Sequence, residues 1–341
     1  MLSPSTPIKA GASQPQEQIA ALTGLCKASA DTLRLLVLRV LCKDSFAVSE
    51  LCAIFDMRQP ALSHHLKVLA GAGLVAARRE GNTIFYRRAE LGQHPDLGQL
   101  QDAIFDTVDR VELPADVQRR LSALYARREE NSRHFFRDNA HKFQAQQDLI
   151  ASYEQYADVV ANVLRDAPLQ ARRCALEVGP GDGSFLLELS PLFDTVVALD
   201  NAPSMLEQAR QKAAGAGVDN VDFIEGDTGH ARLRKLRTDC VVINMVLHHT
   251  PDPGQVLKDI AATLAPGGVV LVTDLCNHDQ GWARENCGDL WLGFDPQQLA
   301  AWAAEAGLSD IASVYLAQRN GFQIQVRLFS RPEQSTKGST L

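Results

Sequence analysis

The stretch CALEVGPGDGSFLLEL joins an apolar run to a loop with glycines at alternate positions. Gly179, Gly181 and Gly183 follow Glu177, and glycines let a chain turn tightly and bring peptide N–H groups against a ligand. A dinucleotide-binding loop would have its third glycine at position 184, where this chain has Ser184. The pattern therefore predicts a ligand-binding loop that does not hold a pyrophosphate.

Residues that suit the rest of a ligand follow the later strand-like runs. Asp200 ends VVALD, Gly226 and Asp227 follow VDFIE, and Asn244 and Met245 end DCVVINM. A carboxylate at position 200 can accept hydrogen bonds from both hydroxyls of a ribose. Taken singly, Asp200 or Asp227 could be an ordinary strand-end cap, but the consistent order and spacing of all these residues argue against a coincidence.

On these residues, and on LAPGGVVLVTD, the chain resembles class I S-adenosylmethionine-dependent methyltransferases from Cys174 to Phe329. The resemblance implies a Rossmann-like α/β domain with a seven-stranded, mostly parallel sheet, and S-adenosylmethionine (SAM) or S-adenosylhomocysteine (SAH) as the ligand. The residues that it implies for the binding site are Glu177, Gly179, Gly181, Asp182, Gly183, Asp200, Asn201, Met205, Gly226, Asp227, Asn244 and Met245.

The first half of the chain carries a basic island although the net charge is −7. Six basic residues against one acid lie between Arg58 and Arg88. Two helical segments, with Pro60 suited to the first turn of the second, precede two strand-like runs around an Asn-containing turn. This order predicts an α+β winged helix-turn-helix that reads DNA.

Leu62, Leu66 and Leu69 fall on one face of the second helix and are predicted to lie in the core. The opposite face and the hairpin supply the candidate contacts to bases and phosphates. These DNA-binding candidates are Ser63, His64 and Lys67 on that face of the helix, Gln59 at its N-terminal end, and Arg78, Arg79 and Asn82 on the hairpin.

The stretch SHHLKVLAGAGLVAARREGNTIFY, with the helix before it, resembles the ArsR-type winged-helix repressors over about 65 residues. The resemblance implies a homodimer that binds a palindromic operator. Many such repressors sense metals, but a thiolate site around Cys52 would need a second cysteine at position 54, which is Ile54. His64 and His65 are adjacent and cannot share a metal from one helical face. We therefore expect no metal to be the signal.

The elements that carry these residues divide the chain into two domains. The expected order is a disordered arm at 1–15, a winged-helix and dimerisation domain at 16–112, a helical connector at 113–145, the methyltransferase-like domain at 146–331 and a tail at 332–341. Within this order, residues 17–42 carry apolar positions at helical spacing.

The bulk composition narrows the cellular setting. The apolar runs are too short to span a bilayer, and the N-terminal segment lacks the pattern of a secretory signal. Seven cysteines without a CxxC pair indicate free thiols. We therefore expect a cytoplasmic protein with no membrane partner.

The layout as a whole resembles ArsR-type regulators with methyltransferase-like domains that respond to SAH. It implies a repressor of methionine- and SAM-cycle genes that uses SAM or SAH as its effector. One alternative is an active small-molecule methyltransferase of the quinone type with an autoregulatory N-terminal domain. Another is a methyltransferase that uses the winged helix for dimerisation alone.

An enzyme would need an acceptor site, for which the sequence offers several candidates. The side chains that could serve as a base are His248, His249, Asp274, Tyr153 and Tyr156. Arsenic methylation would require several cysteines to converge on the acceptor, and Cys174, Cys240, Cys276 and Cys287 are present in this half. Since Cys174 and Cys240 begin buried strands, such convergence is not expected.

Overall fold

The computed structural model describes residues 14–42, 44–80, 83–89 and 97–333. The chain divides into two compact units, residues 1–124 and 125–341. The elements that begin in the first unit are α1 Gln14–Ser29, α2 Thr32–Val40, β1 Phe46–Ala47, α3 Val48–Phe55, α4 Gln59–Gly71, β2 Val75–Glu80, β3 Thr83–Arg88, α5 Gly98–Asp109 and α6 Ala115–Gln147. The boundary between the units falls within α6.

The first unit is a winged helix, as the sequence predicts. Helices α3 and α4 precede the antiparallel β2–β3 hairpin, and β1 pairs with β3 to complete a three-stranded sheet. Leu62, Leu66 and Leu69 of α4 are fully buried, which confirms their predicted place in the core.

The helical spacing of residues 17–42 is interrupted, so this segment forms two helices rather than one. Asp31 explains the break, because its carboxylate accepts a hydrogen bond from Arg34 N at 3.0 Å and caps the start of α2. An N-cap of this kind satisfies a backbone donor that would otherwise be left unpaired at the new helix end.

The second unit alternates strands and helices. After a 3-10 turn at Tyr153–Gln155, its elements are α7 Ala157–Arg165, β4 Cys174–Val178, α8 Leu186–Leu189, β5 Thr195–Asp200, α9 Pro203–Gly215, β6 Val221–Glu225, β7 Thr238–Asn244, α10 Pro253–Thr263, β8 Leu264–Leu275, α11 Trp282–Cys287, α12 Pro296–Glu305, β9 Ser309–Ala317 and β10 Gln323–Ser330. Two further 3-10 turns lie at Leu233–Lys235 and Leu247–His249.

These strands form one seven-stranded sheet in the order β6-β5-β4-β7-β8-β10-β9. The strands β4 to β8 pair in parallel, and β10 is antiparallel to both β8 and β9. The predicted fold class is thus confirmed. The strand order reverses between β4 and β7, and open α/β sheets bind ligands at such a reversal, beyond the carboxyl ends of the strands.

Each face of the sheet carries its own apolar core. One face, called the α7 face here, packs Ala175, Ala198 and Val242 against α7 and α8. The other, called the α10 face, packs Leu176 and Val241 against α10 and α12. Successive side chains of a strand point to opposite faces, so each strand-end residue can be assigned to one of them. None of the described helices is long and apolar enough to cross a bilayer.

Candidate functional site

The glycine loop follows β4 and takes a backbone course that side chains would obstruct. Gly179, Gly181 and Gly183 have φ values of +66°, +58° and +85°. A Cβ on Gly179 would lie 2.5 Å from Val246 Cγ2, and one on Gly183 would lie 2.8 Å from Ala209 Cα. A Cβ on Gly181 would meet no atom within 4 Å. Two glycines therefore allow close packing, and the middle one borders open space that a ligand can enter.

Three polar residues lie at the carboxyl ends of neighbouring strands and on the same face of the sheet. Each of the three lies two residues after a residue of the α7-face core: Glu177 after Ala175 on β4, Asp200 after Ala198 on β5, and Asn244 after Val242 on β7. Side chains two residues apart on a strand point to the same face, so all three belong to the α7 face. They flank the reversal of strand order. The structure thus brings three predicted ligand-binding residues, Glu177, Asp200 and Asn244, to one edge of the sheet.

The polar atoms at this edge are buried without the partners that buried polar groups normally have. Glu177 is 1% exposed, and no described residue donates a hydrogen bond to its Oε2. Both amide atoms of Asn244 and the hydroxyl of Tyr153 are likewise buried with no hydrogen-bond partner among the described residues. Leaving such atoms unpaired destabilises the folded protein, so this donor and acceptor set fits a bound polar molecule.

Burial controls the ionisation of the two acids. Desolvation, with a smaller contribution from Asp182, raises the pKa of Glu177 to about 8. Desolvation also raises the pKa of Asp200 to about 6, although the backbone N–H groups of Ala202 and Asn201 oppose the shift. Asp200 Oδ1 accepts a hydrogen bond from Ala202 N at 2.8 Å, which fixes the carboxylate at the strand end. A positively charged or hydrogen-bond-donating ligand would favour the ionised form of both acids.

Asp182 braces the glycine loop from within. Its Oδ1 accepts hydrogen bonds from Ser184 N at 3.0 Å and Ser184 Oγ at 2.7 Å, and its Oδ2 lies 2.6 Å from Lys212 Nζ. Burial alone would raise the pKa of Asp182, but the hydrogen bonds from Lys212 and Ser184 lower it. Ser184 is two residues from Asp182 and could have been identified as a turn partner, whereas Lys212 on α9 has no local sequence signal.

The remaining predicted ligand residues lie around the same edge. Gly226 N donates to Asp200 O at 2.9 Å, which holds the end of β6 beside β5. Asp227 is exposed and accepts from Gly229 N at 2.9 Å, Asn201 is exposed, and Met205 is buried on α9. Met245 follows Asn244 with a φ of +55°, a strained value for a residue with a side chain, and such strain is often found at functional sites.

The candidate bases divide between the two faces. Tyr153 and Tyr156 pack with the α7 face, with ring centroids 5.7 Å apart. Desolvation is the main cause that raises the pKa of each phenol, so both stay protonated. Asp274 lies two residues after Val272 on β8, so it points to the same face as Val272, the α10 face, and away from Glu177. His248 also lies on the α10 face, because its Nδ1 is 2.7 Å from Asp274 Oδ1.

The histidine pair is fully buried and electrostatically asymmetric. Burial would lower the pKa of His248, but the carboxylates of Asp274 and Asp289 raise it to about 9. Burial, and then the charge of His248, lower the pKa of His249 well below its ordinary value. Asp289 is 3% exposed and lies 40 residues after this turn, and no spacing in the sequence indicated that it would pack there.

The DNA-reading candidates of the first unit lie on one surface of α4 and on the hairpin. His64 and Lys67 are exposed and Ser63 is half-buried, on the side of α4 opposite the leucines, and Gln59 is exposed at the N-terminal end of the helix. On β2, Arg79 is exposed and Arg78 is half-buried, whereas Asn82 lies outside the described residues. Cys52 is half-buried on α3, and desolvation raises the pKa of its thiol.

Comparison with known proteins finds a matching family model for a region of each unit. Residues 31–77 match the model for bacterial regulatory proteins of the arsR family, and residues 176–272 match the model for a methyltransferase domain. The first region is 48% identical over 66 residues to the biofilm growth-associated repressor of Agrobacterium fabrum, covering 19% of this chain and 56% of that protein. Both resemblances found in the sequence are confirmed.

Enzymes are also similar to this chain. The ubiquinone biosynthesis O-methyltransferase of Xanthomonas axonopodis pv. citri is 29% identical over 175 residues, which are 46% of this chain and 71% of the enzyme. The N-methyltransferase NodS of Bradyrhizobium japonicum, solved with SAH, has a TM-score of 0.44 at 17% identity, covering 56% of this chain and 98% of that one. Another relative, the polyketide synthase-nonribosomal peptide synthetase pyiS of Pyricularia grisea, is matched over only 3% of its own length.

The first prediction concerns the loop glycines. Gly183→Ala should lower the free energy of unfolding by about 2–4 kcal/mol, because the new methyl group meets the backbone of α9 and the left-handed φ is strained. Gly181→Ala should cost only about 1 kcal/mol, since its methyl group enters open space. Urea unfolding measures both, with Gly217→Ala (φ +73°, no atom within 4 Å) as the control. Equal effects at 181 and 183 would contradict the packing described.

The second prediction concerns Glu177. Its pKa is about 8 in the folded protein and near 4.5 when unfolded, so its contribution to stability is complete below pH 4.5 and is lost as the pH rises through 8. Wild type should therefore lose up to roughly 4 kcal/mol relative to Glu177→Gln over this range. Thermal or urea unfolding from pH 4.5 to 9 measures the difference. The exposed Glu188→Gln serves as the control, and a pH-independent difference for Glu177→Gln would contradict the burial argument.

Proposed function

We propose that this chain, in which an ArsR-family winged helix is joined to a methyltransferase domain, is a transcriptional repressor whose second unit binds SAM or SAH as its effector. One observation carries the proposal. Buried polar atoms of Glu177 and Asn244, without partners among the described residues, flank the open side of the Gly181 turn at the switch point of the sheet. A chain that kept this edge for packing alone would be more stable with apolar side chains there.

The residues at the edge fit the chemistry of an adenosyl amino acid. Asp200 would accept hydrogen bonds from the ribose hydroxyls, and the backbone around Gly181 would lie against the amino acid end, near Glu177. Asp227 and Gly226 would border the base, with Asn244 and Met245 beside them. When SAM is the ligand, it supplies an electrophilic methyl group, whereas SAH has none and can act only as a signal.

Sensing is favoured over turnover for two reasons. The first unit resembles a repressor, and its exposed α4 surface supports a role in reading DNA. Its Cys52 has Ile54 two residues on, so the paired-thiolate metal site in this helix is missing and the reader needs another signal. We propose that SAH, the product of methyl transfer, supplies it, that the repressor acts as a homodimer on a palindromic operator, and that its targets are methionine- and SAM-cycle genes.

Binding alone does not make a switch. A ligand changes operator affinity only by the difference between its affinities for the DNA-bound and the free arrangements of the dimer. The two units are joined through α6, which contains the boundary between them. An effector coupled by 1.4–2.8 kcal/mol would change operator affinity by about 10- to 100-fold.

The third prediction tests this coupling. A palindromic operator is first selected from a DNA library with the full-length protein, and its affinity is then measured by fluorescence anisotropy with SAM, SAH or adenosine. SAH should weaken operator binding by about 10- to 100-fold. Asp200→Ala should keep the basal operator affinity and weaken SAH binding, measured by calorimetry, by about 10- to 100-fold, because the ribose loses a charged acceptor. The exposed Asp219→Ala is the matched control.

Two results would overturn this function at different steps. No heat of binding with either nucleoside would contradict the adenosyl site itself. Binding of SAH without any change in operator affinity would contradict the sensing role and leave an enzyme as the better explanation. On the DNA side, Lys67→Ala should lower operator affinity without changing SAH affinity, whereas Lys27→Ala, which removes the same charge from α1, should change neither.

The second candidate function is an active small-molecule methyltransferase, which the similarity to the ubiquinone biosynthesis O-methyltransferase favours. It predicts that labelled SAM is consumed in the presence of a phenolic acceptor and that Gly181→Arg abolishes this turnover. Arsenic methylation is not supported, because among the described residues no group of three metal-binding side chains includes a cysteine.

A further inference from the structure

A second cluster of chemically competent side chains lies on the α10 face, apart from the proposed nucleoside site. The 3-10 turn after β7 carries His248 and His249, and the chain after α11 packs directly on it. Leu290 N and Trp291 N donate to His248 O at 2.8 and 3.0 Å. This contact places Asp289 beside the two histidines, and all three side chains are at least nine-tenths buried.

The donor atoms have the spacing of ligands around one metal ion. His248 Nε2 and His249 Nδ1 lie 3.8 and 3.7 Å from Asp289 Oδ1. One ligand atom from each residue lies within 4.8 Å of the other two. A tetrahedral ion with bonds of about 2.1 Å sets its ligands about 3.4 Å apart, so the two distances to Asp289 Oδ1 need to shorten by only a few tenths of an ångström.

The adjacent histidines can act together here because of the local backbone. In the tight turn the two ring centroids are only 4.0 Å apart, with a tilt of 51° between the planes. By contrast, His64 and His65 on the regular helix α4 have centroids 5.9 Å apart, and His65 turns toward Asp31. His249 Nδ1 also lies 3.4 Å from Gly288 O, a long hydrogen bond that metal ligation would replace at little cost.

A carboxylate already orients the first histidine. His248 Nδ1 donates to Asp274 Oδ1 at 2.7 Å, and Asp274 Oδ1 is itself fixed by Leu275 N at 2.7 Å. This arrangement leaves Nε2 of His248 directed to Asp289. A carboxylate that holds the far nitrogen of a ligating histidine is a common feature of zinc sites, where it fixes the tautomer and the orientation of the ring.

The types of ligand atom and the nearby buried carboxylates indicate which class of metal ion the cluster would bind. Two imidazoles and a carboxylate suit zinc, cobalt or nickel better than magnesium or calcium, which prefer oxygen ligands. Two carboxylates, Asp274 and Asp289, are buried beside the histidines, so positive charge between them is stabilised. We propose that His248, His249 and Asp289 bind a divalent transition-metal ion of the zinc class, with Asp274 as the positioning residue and a fourth coordination position left for water.

Such an ion would join two segments that are distant in the sequence. It would tie the turn after β7 to the chain that follows α11, 40 residues later. Because the α10 face is separate from the face that carries Glu177 and Asn244, metal and nucleoside would bind independently. The proposal therefore does not depend on the proposed effector.

The fourth prediction is metal binding by the untagged full-length protein. After chelation and dialysis, Zn²⁺ should bind at about one ion per chain by elemental analysis, and Co²⁺ should give the intense visible bands of a tetrahedral nitrogen and oxygen site. Asp289→Asn and His249→Gln should each lower Zn²⁺ affinity at least about 100-fold, and Asp274→Asn about 10- to 100-fold. Zn²⁺ should also raise the Tm of wild type but not of Asp289→Asn.

Matched controls separate this cluster from other metal-binding groups. His230→Gln removes a histidine elsewhere in the same unit, and Cys26→Ser and Cys52→Ser remove thiols of the first unit. All three should keep the wild-type stoichiometry and Co²⁺ spectrum. SAH binding, measured by calorimetry, should be unchanged in His249→Gln, so failure of the metal site is distinguishable from failure of the proposed function.

The wild-type spectrum decides the proposal even if a variant does not fold. Absence of tetrahedral Co²⁺ bands at saturating Co²⁺ would overturn it and leave the cluster as a hydrogen-bonded anchor for the chain after α11. Zn²⁺ binding that persists in Asp289→Asn and His249→Gln but disappears in Cys52→Ser would also overturn it. Loss of the bands in either ligand variant, with retention in His230→Gln, would support it.

Discussion

The second unit depends on the burial of a carboxyl group at the end of its first strand. Parallel pairing of β4 with both β5 and β7 places Glu177 at the centre of the sheet, where it is 1% exposed. The strand order reverses beside it, and open α/β sheets bind ligands at such a reversal, beyond the carboxyl ends of the strands. A buried carboxyl oxygen without a donor weakens the fold, and the burial of Glu177 raises its pKa to about 8. The arrangement is best explained by a ligand that supplies the donors.

The surrounding structure makes this cost tolerable. Gly179 and Gly183 allow Val246 and the α9 backbone to pack against the loop, and the Asp182–Lys212 pair holds it in place. Below the strand ends, two apolar clusters cover both faces of the sheet and supply the stability that the edge gives up. The strained backbone of Met245 belongs to the same edge, so destabilising features are concentrated where the ligand is proposed to bind.

Much of this could be read from the sequence because it is encoded locally. Apolar runs of strand length separated by helical spacing indicated the parallel sheet, and the positions of Leu62, Leu66 and Leu69 indicated the buried side of the reading helix. The break before α2 is also local, since it depends on the capping carboxylate of Asp31 three residues from its donor, but the regular apolar spacing on both sides obscured it. Lys212 and Asp289 could not be predicted, because each reaches its partners through tertiary packing across about 30 and 40 residues.

The end of β7 and the turn after it carry residues of both proposed sites within a few positions of one another. Asn244 faces the proposed nucleoside site, whereas His248, four residues later, faces the opposite side of the sheet and pairs with Asp274. The turn between them begins at Met245, which has a φ of +55° and whose N–H donates to Thr273 O at 2.7 Å. The turn thus places the ionisable His248–Asp274 pair on the face of the sheet opposite the proposed nucleoside site.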